Sequence, residues 1–139
     1  MRMKLAGLII TLFIGAICRD LHAGEFQDVS VIQLISTPEL FNGQDVRVTG
    51  FLHLEFEGDA IYVHRNDFDH AIAKNSLAIE LSDAQARTWG KLNDHYVIIE
   101  GRFSSDAKGH LGSRSGSLQK LTRLSDWSVN RGGKKVSGR

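Results

Sequence analysis

The chain has 139 residues, with 17 Lys and Arg against 16 Asp and Glu, a single proline and a single cysteine. That length suits one domain with a modest core, and one thiol excludes an internal disulfide framework and a Cys-based zinc site. The charge is uneven: residues 24–130 hold 10 cations and 15 anions, which argues against a duplex nucleic-acid binder with a basic face.

Residues 1–23 read as an export leader. Arg2 and Lys4 precede an apolar run of 14 residues, 5–18, shorter than the roughly 20 that a membrane-spanning helix requires. Cleavage is expected after Ala23, with an alternative near Ala16 and Cys18, and no membrane span remains once the leader is removed. Cys18 follows Ile17, which disfavours a lipid-attachment site. The leader would take the only cysteine with it, leaving a mature chain of net charge −1 at periplasmic or secreted location.

Ser30 and Gln33 have the spacing of a capping box ahead of Val31, Ile32, Leu34 and Ile35, so a short helix is expected there. Thr37-Pro38-Glu39 looks like a second helix start, closed by Asn42-Gly43. Residues 45–56 alternate, with Val46, Val48, Leu52, Leu54 and Phe56 on an apolar side. Gly50 falls on that side, where a missing side chain permits a bend that lets one strand serve two parts of a closed sheet. A two-residue turn at Gly58-Asp59 predicts a second strand over 60–64, with His53 opposite His64 and Glu55 opposite Tyr62.

Residues 66–75 form a polar connection with one helical turn through Phe68, Ala71 and Ile72, and Leu77, Ile79 and Leu81 alternate as a third strand. Ser82 and Gln85 repeat the capping-box spacing before a helix of about two turns that Gly90 stops. A fourth strand spans 95–103, and residues 104–116 are a Gly- and Ser-rich loop. Residues 117–124 are expected as a fifth strand, but Leu118, Leu121 and Leu124 are spaced by three, which a bulge near Gln119 and Lys120 would reconcile and which a helix would also fit. Residues 128–139 are a basic, disordered tail containing Arg131, Lys134, Lys135 and Arg139.

Five strands with a helix between the third and fourth predict a mostly β fold, an OB-fold-like Greek-key barrel over residues 24–127. An open α+β sheet is the alternative. The stretches VRVTGFLHLEFEGDAIYVH (46–64), YVIIEGRF (96–103) and GHLGSRSG (109–116) resemble a family of small exported bacterial proteins with OB-like domains. The resemblance covers residues 31–124 and implies fold and export; it brings no activity and no catalytic residues. Likeness to exported OB-fold stress proteins is architectural alone.

Under the predicted hairpin register, Phe51, His53, Glu55, Tyr62 and His64 share the outer face of the barrel. Flat amphipathic groups of this kind can stack on a sugar or peptide while Glu55 and Arg47 hydrogen-bond it. The same His53, His64 and Glu55 could instead hold a divalent metal for hydrolysis, although no HExxH spacing supports that. Lys108, His110 and Arg114 sit in the 106–116 loop and suit a carboxylate or phosphate, without the GK[ST] ending of a P-loop. Asn66, Asp67, Asp69 and His70 lack EF-hand spacing, and Ser113, Ser115 and Ser117 lack a nucleophile elbow. Trp89 and Trp127 read as packing residues. The sequence therefore points to a non-enzymatic exported module without a cofactor. Its partner would be an envelope saccharide, peptide or protein, nucleic acid being disfavoured, and the rival is a metal-dependent hydrolase.

Overall fold

Val46, Val48 and Leu52 are fully buried, and the strand that carries them organises the whole fold. A computed structural model describes residues 25–127; the expected leader, 1–23, and basic tail, 128–139, lie outside the described residues. The strands are β1 (Gln27–Asp28), β2 (Asp45–His53), β3 (Ala60–Tyr62), β4 (Ser76–Ile79), β5 (Tyr96–Ser104) and β6 (Ser117–Asp126). The helices are α1 (Val31–Ser36), α2 (Pro38–Phe41), α3 (Arg65–Asp69) and α4 (Asp83–Trp89).

Pairing runs β2-β3-β4-β6-β5 and returns to β2, closing a five-stranded barrel in which only β4 and β6 are parallel. This is the OB-fold-like arrangement, with α4 between the third and fourth barrel strands. The open-sheet alternative is thereby set aside. β1, which the alternation did not announce, adds two parallel pairs to β2 through Gln27 and Asp28.

Both capping boxes form. Ser30 Oγ accepts the Gln33 amide while Gln33 Oε1 accepts the Ser30 amide, and Ser82 and Gln85 repeat the exchange. Each satisfies backbone donors that a helix start leaves without partners. Gln85 Nε2 also donates to the Leu121 carbonyl at 2.9 Å, which pins α4 to β6. α1 and α2 contribute Val31, Leu34 and Phe41 to the barrel core, beside Ile61, Leu77, Ile99, Phe103 and Leu118.

Closure depends on two glycines. A Cβ on Gly50 would lie 2.6 Å from the Tyr62 carbonyl oxygen and 2.6 Å from Ile61 Cγ1. Here β2 passes from pairing with β5 alone to pairing with β3 as well, the bend expected from its sequence. Gly101 faces the bulge in β6: Glu100 pairs with Arg123 but Arg102 pairs with Gln119, so extra residues of β6 oppose a single glycine. Lys120, inside that bulge, takes a φ of 48°. The bulge turns Leu118, Leu121 and Leu124 all inward despite their spacing by three.

On the outer wall, charges form a ladder across four strands. Arg47 Nε donates to Glu100 Oε1 at 2.7 Å, Arg47 Nη1 reaches Asp28 at 3.3 Å, and Arg123 Nη1 reaches the same Glu100 oxygen at 3.3 Å. Arg102 and Asp45, directly opposite in the β2–β5 register, make two bonds of 2.9 and 3.0 Å. That pairing holds the Asp45 carboxyl below the usual carboxylate value.

The predicted hairpin register is corrected by the structure. β2 ends at His53 and β3 at Tyr62, so the connection is a six-residue loop, 54–59, rather than a two-residue turn. Phe51 pairs with Tyr62 and His53 with Ala60, so His53 is not opposite His64 and Glu55 is not opposite Tyr62. Phe56, expected on the inner side, is 93% exposed. The physical reason is burial on both faces: Phe51 and Tyr62 need cover as much as Leu52 and Ile61 do, and the shorter hairpin puts all four inside.

Gly50→Ala and Gly101→Ala should each cost about 1–3 kcal/mol, because a backbone oxygen cannot yield to the new methyl group. Gly90→Ala, where nothing lies within 4 Å of the added atom and the backbone is already helical, should be neutral or slightly stabilising. Urea midpoints of the three variants check this; equal midpoints would remove the closure argument.

Candidate functional site

The aromatic face expected to bind ligand is covered by α3. Phe51 and Tyr62 are 1% and 5% exposed and pack with Ala60, Phe68 and Tyr96 in a second, smaller core outside the barrel. Phe68 of α3 lies 6.0 Å from the Phe51 ring and 5.6 Å from the Tyr62 ring, and it stacks on His53 at 3.9 Å. Tyr96 closes the cluster edge-on to Phe51 at 5.6 Å, and Arg65 sits over Phe51 at 5.7 Å. A ligand could reach these rings only by displacing the helix.

The histidines serve local structure. His64 is the N-cap of α3: its Nδ1 accepts the Asn66 amide at 3.2 Å, while Asp67 accepts the His64 amide at 3.0 Å. Its ring meets Tyr96 at 5.8 Å. His53 Nδ1 is 2.7 Å from Asp94 Oδ1, and its Nε2 is 3.8 Å from Glu55. Among the described residues, no three His, Asp or Glu side chains gather as a metal-binding group. Asp67 bonds Asn75 as well as the His64 amide, so its acidic loop is occupied with closing its own turns.

A groove opens instead at one end of the barrel, between loop 54–59 and the loop 105–116 that joins β5 to β6. It has a volume of about 560 Å³ and is lined by residues of both loops and by the end of β4 with Glu80 and Leu81. The loops are shaped by their own chemistry. Asp59 Oδ1 accepts the Glu55 amide at 3.0 Å, and Glu57 takes a φ of 58° to complete the turn. On the opposite wall Gly109 has a φ of 68° and its α-carbon approaches Ala78 so closely that a Cβ would lie 2.7 Å from the Ala78 methyl. That close approach seats the second loop on β4.

Arg114 joins the two walls. It is 8% exposed, and its guanidinium donates to the Tyr62 hydroxyl, to Ser76 Oγ at 2.9 Å and to the Gly58 carbonyl at 3.1 Å, with Tyr62 also beneath it at 5.0 Å. All three acceptors are uncharged. The surrounding carboxylates are Glu55, Glu57, Asp59 and Glu80, with His110 Nε2 at 3.8 Å from Glu57. Burial pushes the Asp59 carboxyl up from its usual 3.8, against the lowering effect of the Glu55 amide that it accepts. Phe56 and Leu111, on opposite loops, are 93% and 89% exposed.

Of the residues singled out from sequence, the structure therefore brings Glu55, His110 and Arg114 to this groove. It places Phe51, His53, Tyr62 and His64 in or beside the α3 cluster, and leaves Lys108 exposed outside the groove lining. Sequence reasoning missed Phe56, Glu57, Asp59, Glu80 and Leu111. The available signal was the run Glu55-Phe56-Glu57-Gly58-Asp59, whose three carboxylates fit a solvated loop better than a strand.

Arg114→Met should lower stability by about 2–3 kcal/mol, since hydrogen bonds from a charged donor are lost at a buried site, whereas Lys108→Met should stay within about 0.5 kcal/mol. Matching losses in chemical denaturation would deny Arg114 its bridging role. Asp59→Asn preserves the acceptor oxygen and removes the charge. Because the folded value is raised, Asp59 opposes folding increasingly as pH rises through it, so the variant should gain on the order of 0.5 kcal/mol at pH 7 after solvent screening and nothing near pH 3. Comparison with known proteins yields no match to this chain among family models, curated proteins or solved structures.

Proposed function

We propose that the protein is an exported, non-enzymatic binding module that holds a peptide or protein segment in the groove between loops 54–59 and 105–116. The observation that carries this reading is the pair Phe56 and Leu111. Two large apolar side chains held almost fully in water on facing loops are costly to a free domain and useful to one with a partner. OB-fold barrels commonly bind through these two connections. Export rests on the leader pattern of residues 1–23.

A saccharide loses ground because its stacking platform is absent from the groove: Phe51 and Tyr62 are under α3, and Phe56 is the one aromatic ring at the rim. A second groove, of about 590 Å³, runs beside β1 and α1. Its charged side chains, Asp28 and Arg47, already bond each other, and it has no exposed apolar rim comparable to Phe56 and Leu111. Among the described residues no helix is long and apolar enough to cross a membrane.

Phe56→Ala combined with Leu111→Ala should leave the melting temperature unchanged within about 2 °C, since neither side chain is buried. The same variant should capture envelope components at least about tenfold less strongly than the unmodified mature domain, as expected for truncated apolar anchors. Undiminished capture by the double variant would move the binding surface elsewhere.

A further inference from the structure

We infer that the occupant of this groove is a cationic polypeptide segment bearing at least one apolar side chain, an inference that rests on the groove being the binding site. The apolar part follows from Phe56 and Leu111, whose exposure on opposing loops asks for cover. The cationic part follows from the walls between them. Glu55, Glu57, Asp59 and Glu80 line the groove, and the one buried guanidinium there is held by Tyr62, Ser76 and Gly58.

An incoming phosphate or acidic sugar would meet four carboxylates in the lining, where Arg114 is held by its three acceptors and His110 faces Glu57 at 3.8 Å, while Lys108 of the same loop lies outside the lining. An ammonium or guanidinium would meet the opposite field. It would also ease the repulsion between the Asp59 and Glu55 carboxylates, which both line the groove. The mature chain as a whole is close to neutral, at −1, so the preference comes from the local field of these carboxylates.

The chain's own basic end has the right sign, with Arg131, Lys134, Lys135 and Arg139. Its apolar side chains, Val129 and Val136, are small beside a rim built of Phe56 and Leu111. The occupant inferred is therefore a separate partner segment, and the chain's own end is an outcome of the test.

The test uses fluorescence anisotropy on the mature chain at 0.15 M salt with three labelled ten-residue probes. One is a Gly/Ser peptide carrying three Lys and two Leu, the second has Glu for Lys, and the third has Ser for Leu. The Lys/Leu probe should bind at least tenfold more tightly than either of the others. Glu57→Lys with Glu80→Lys should weaken it at least tenfold, and the same charge change at Glu25 and Glu39, remote from the groove lining, less than threefold. Equal weakening by the two pairs would overturn the cationic site, and so would tighter binding of the Glu probe. If that Glu probe is nevertheless lost on Phe56→Ala with Leu111→Ala, the groove stands and only the ligand class falls. If all probes ignore every groove substitution, the groove itself falls. A tenfold gain in Lys/Leu affinity on deleting residues 128–139 would assign the site to the chain's own end and overturn the external partner.

Discussion

The barrel closes because two positions have no side chain. At Gly50 the β3 backbone crosses so near to β2 that a methyl group would overlap the Tyr62 carbonyl, and at Gly101 the bulged backbone of β6 presses in through the Gln119 carbonyl and Leu121. Sheet curvature at a barrel corner needs this kind of local relief, since a regular pleat with side chains on both faces resists it. Everything downstream inherits the geometry. Gly50 lies where β2 meets β3, just before loop 54–59, and the β6 bulge beside Gly101 lets β6 keep its pairing with β5 on both sides of the corner.

A consequence of that short hairpin is a molecule with two cores. The inner one is mostly aliphatic, with Phe41 and Phe103 as its rings; the outer one is aromatic, built on Phe51, Tyr62, Phe68 and Tyr96. Aromatic residues at alternating strand positions are ambiguous between a wet binding face and a face awaiting cover. Here α3 decides the matter. Its N-cap, His64, and its covering residue, Phe68, come directly after β3, so the same hairpin that exposes the face also delivers the helix that closes it.

Covering one face leaves the barrel end as the place where chemistry meets solvent. The groove there combines a buried cation with a rim of anions. Arg114 makes only neutral hydrogen bonds, yet it is surrounded by a field of negative sign, which lowers the cost of burying it. The arrangement keeps the guanidinium structural and leaves the rim carboxylates without an Arg or Lys partner among the described residues, imidazoles alone approaching Glu55 and Glu57. Burial raises the Asp59 carboxyl within that rim.

Local pattern alone settled much of this protein. Ser30-Gln33 and Ser82-Gln85 place two helix starts because a capping box is a contact within four residues, whereas leucines spaced by three fit either a helix or a bulged strand, and the pairing of β6 with β5 selects the strand. Strand order and the position of α4 followed, and with them the barrel. The hairpin register did not follow, because Gly58-Asp59 is an adequate two-residue turn by local chemistry and only the competition to bury Phe51 and Tyr62 shortens the strands. The groove is likewise a tertiary product: Glu55 and Glu80 meet Leu111 only after closure brings loop 54–59, β4 and loop 105–116 to one end. Contacts between residues tens of positions apart leave no periodicity to read, so the fold was legible along the chain and the site was not.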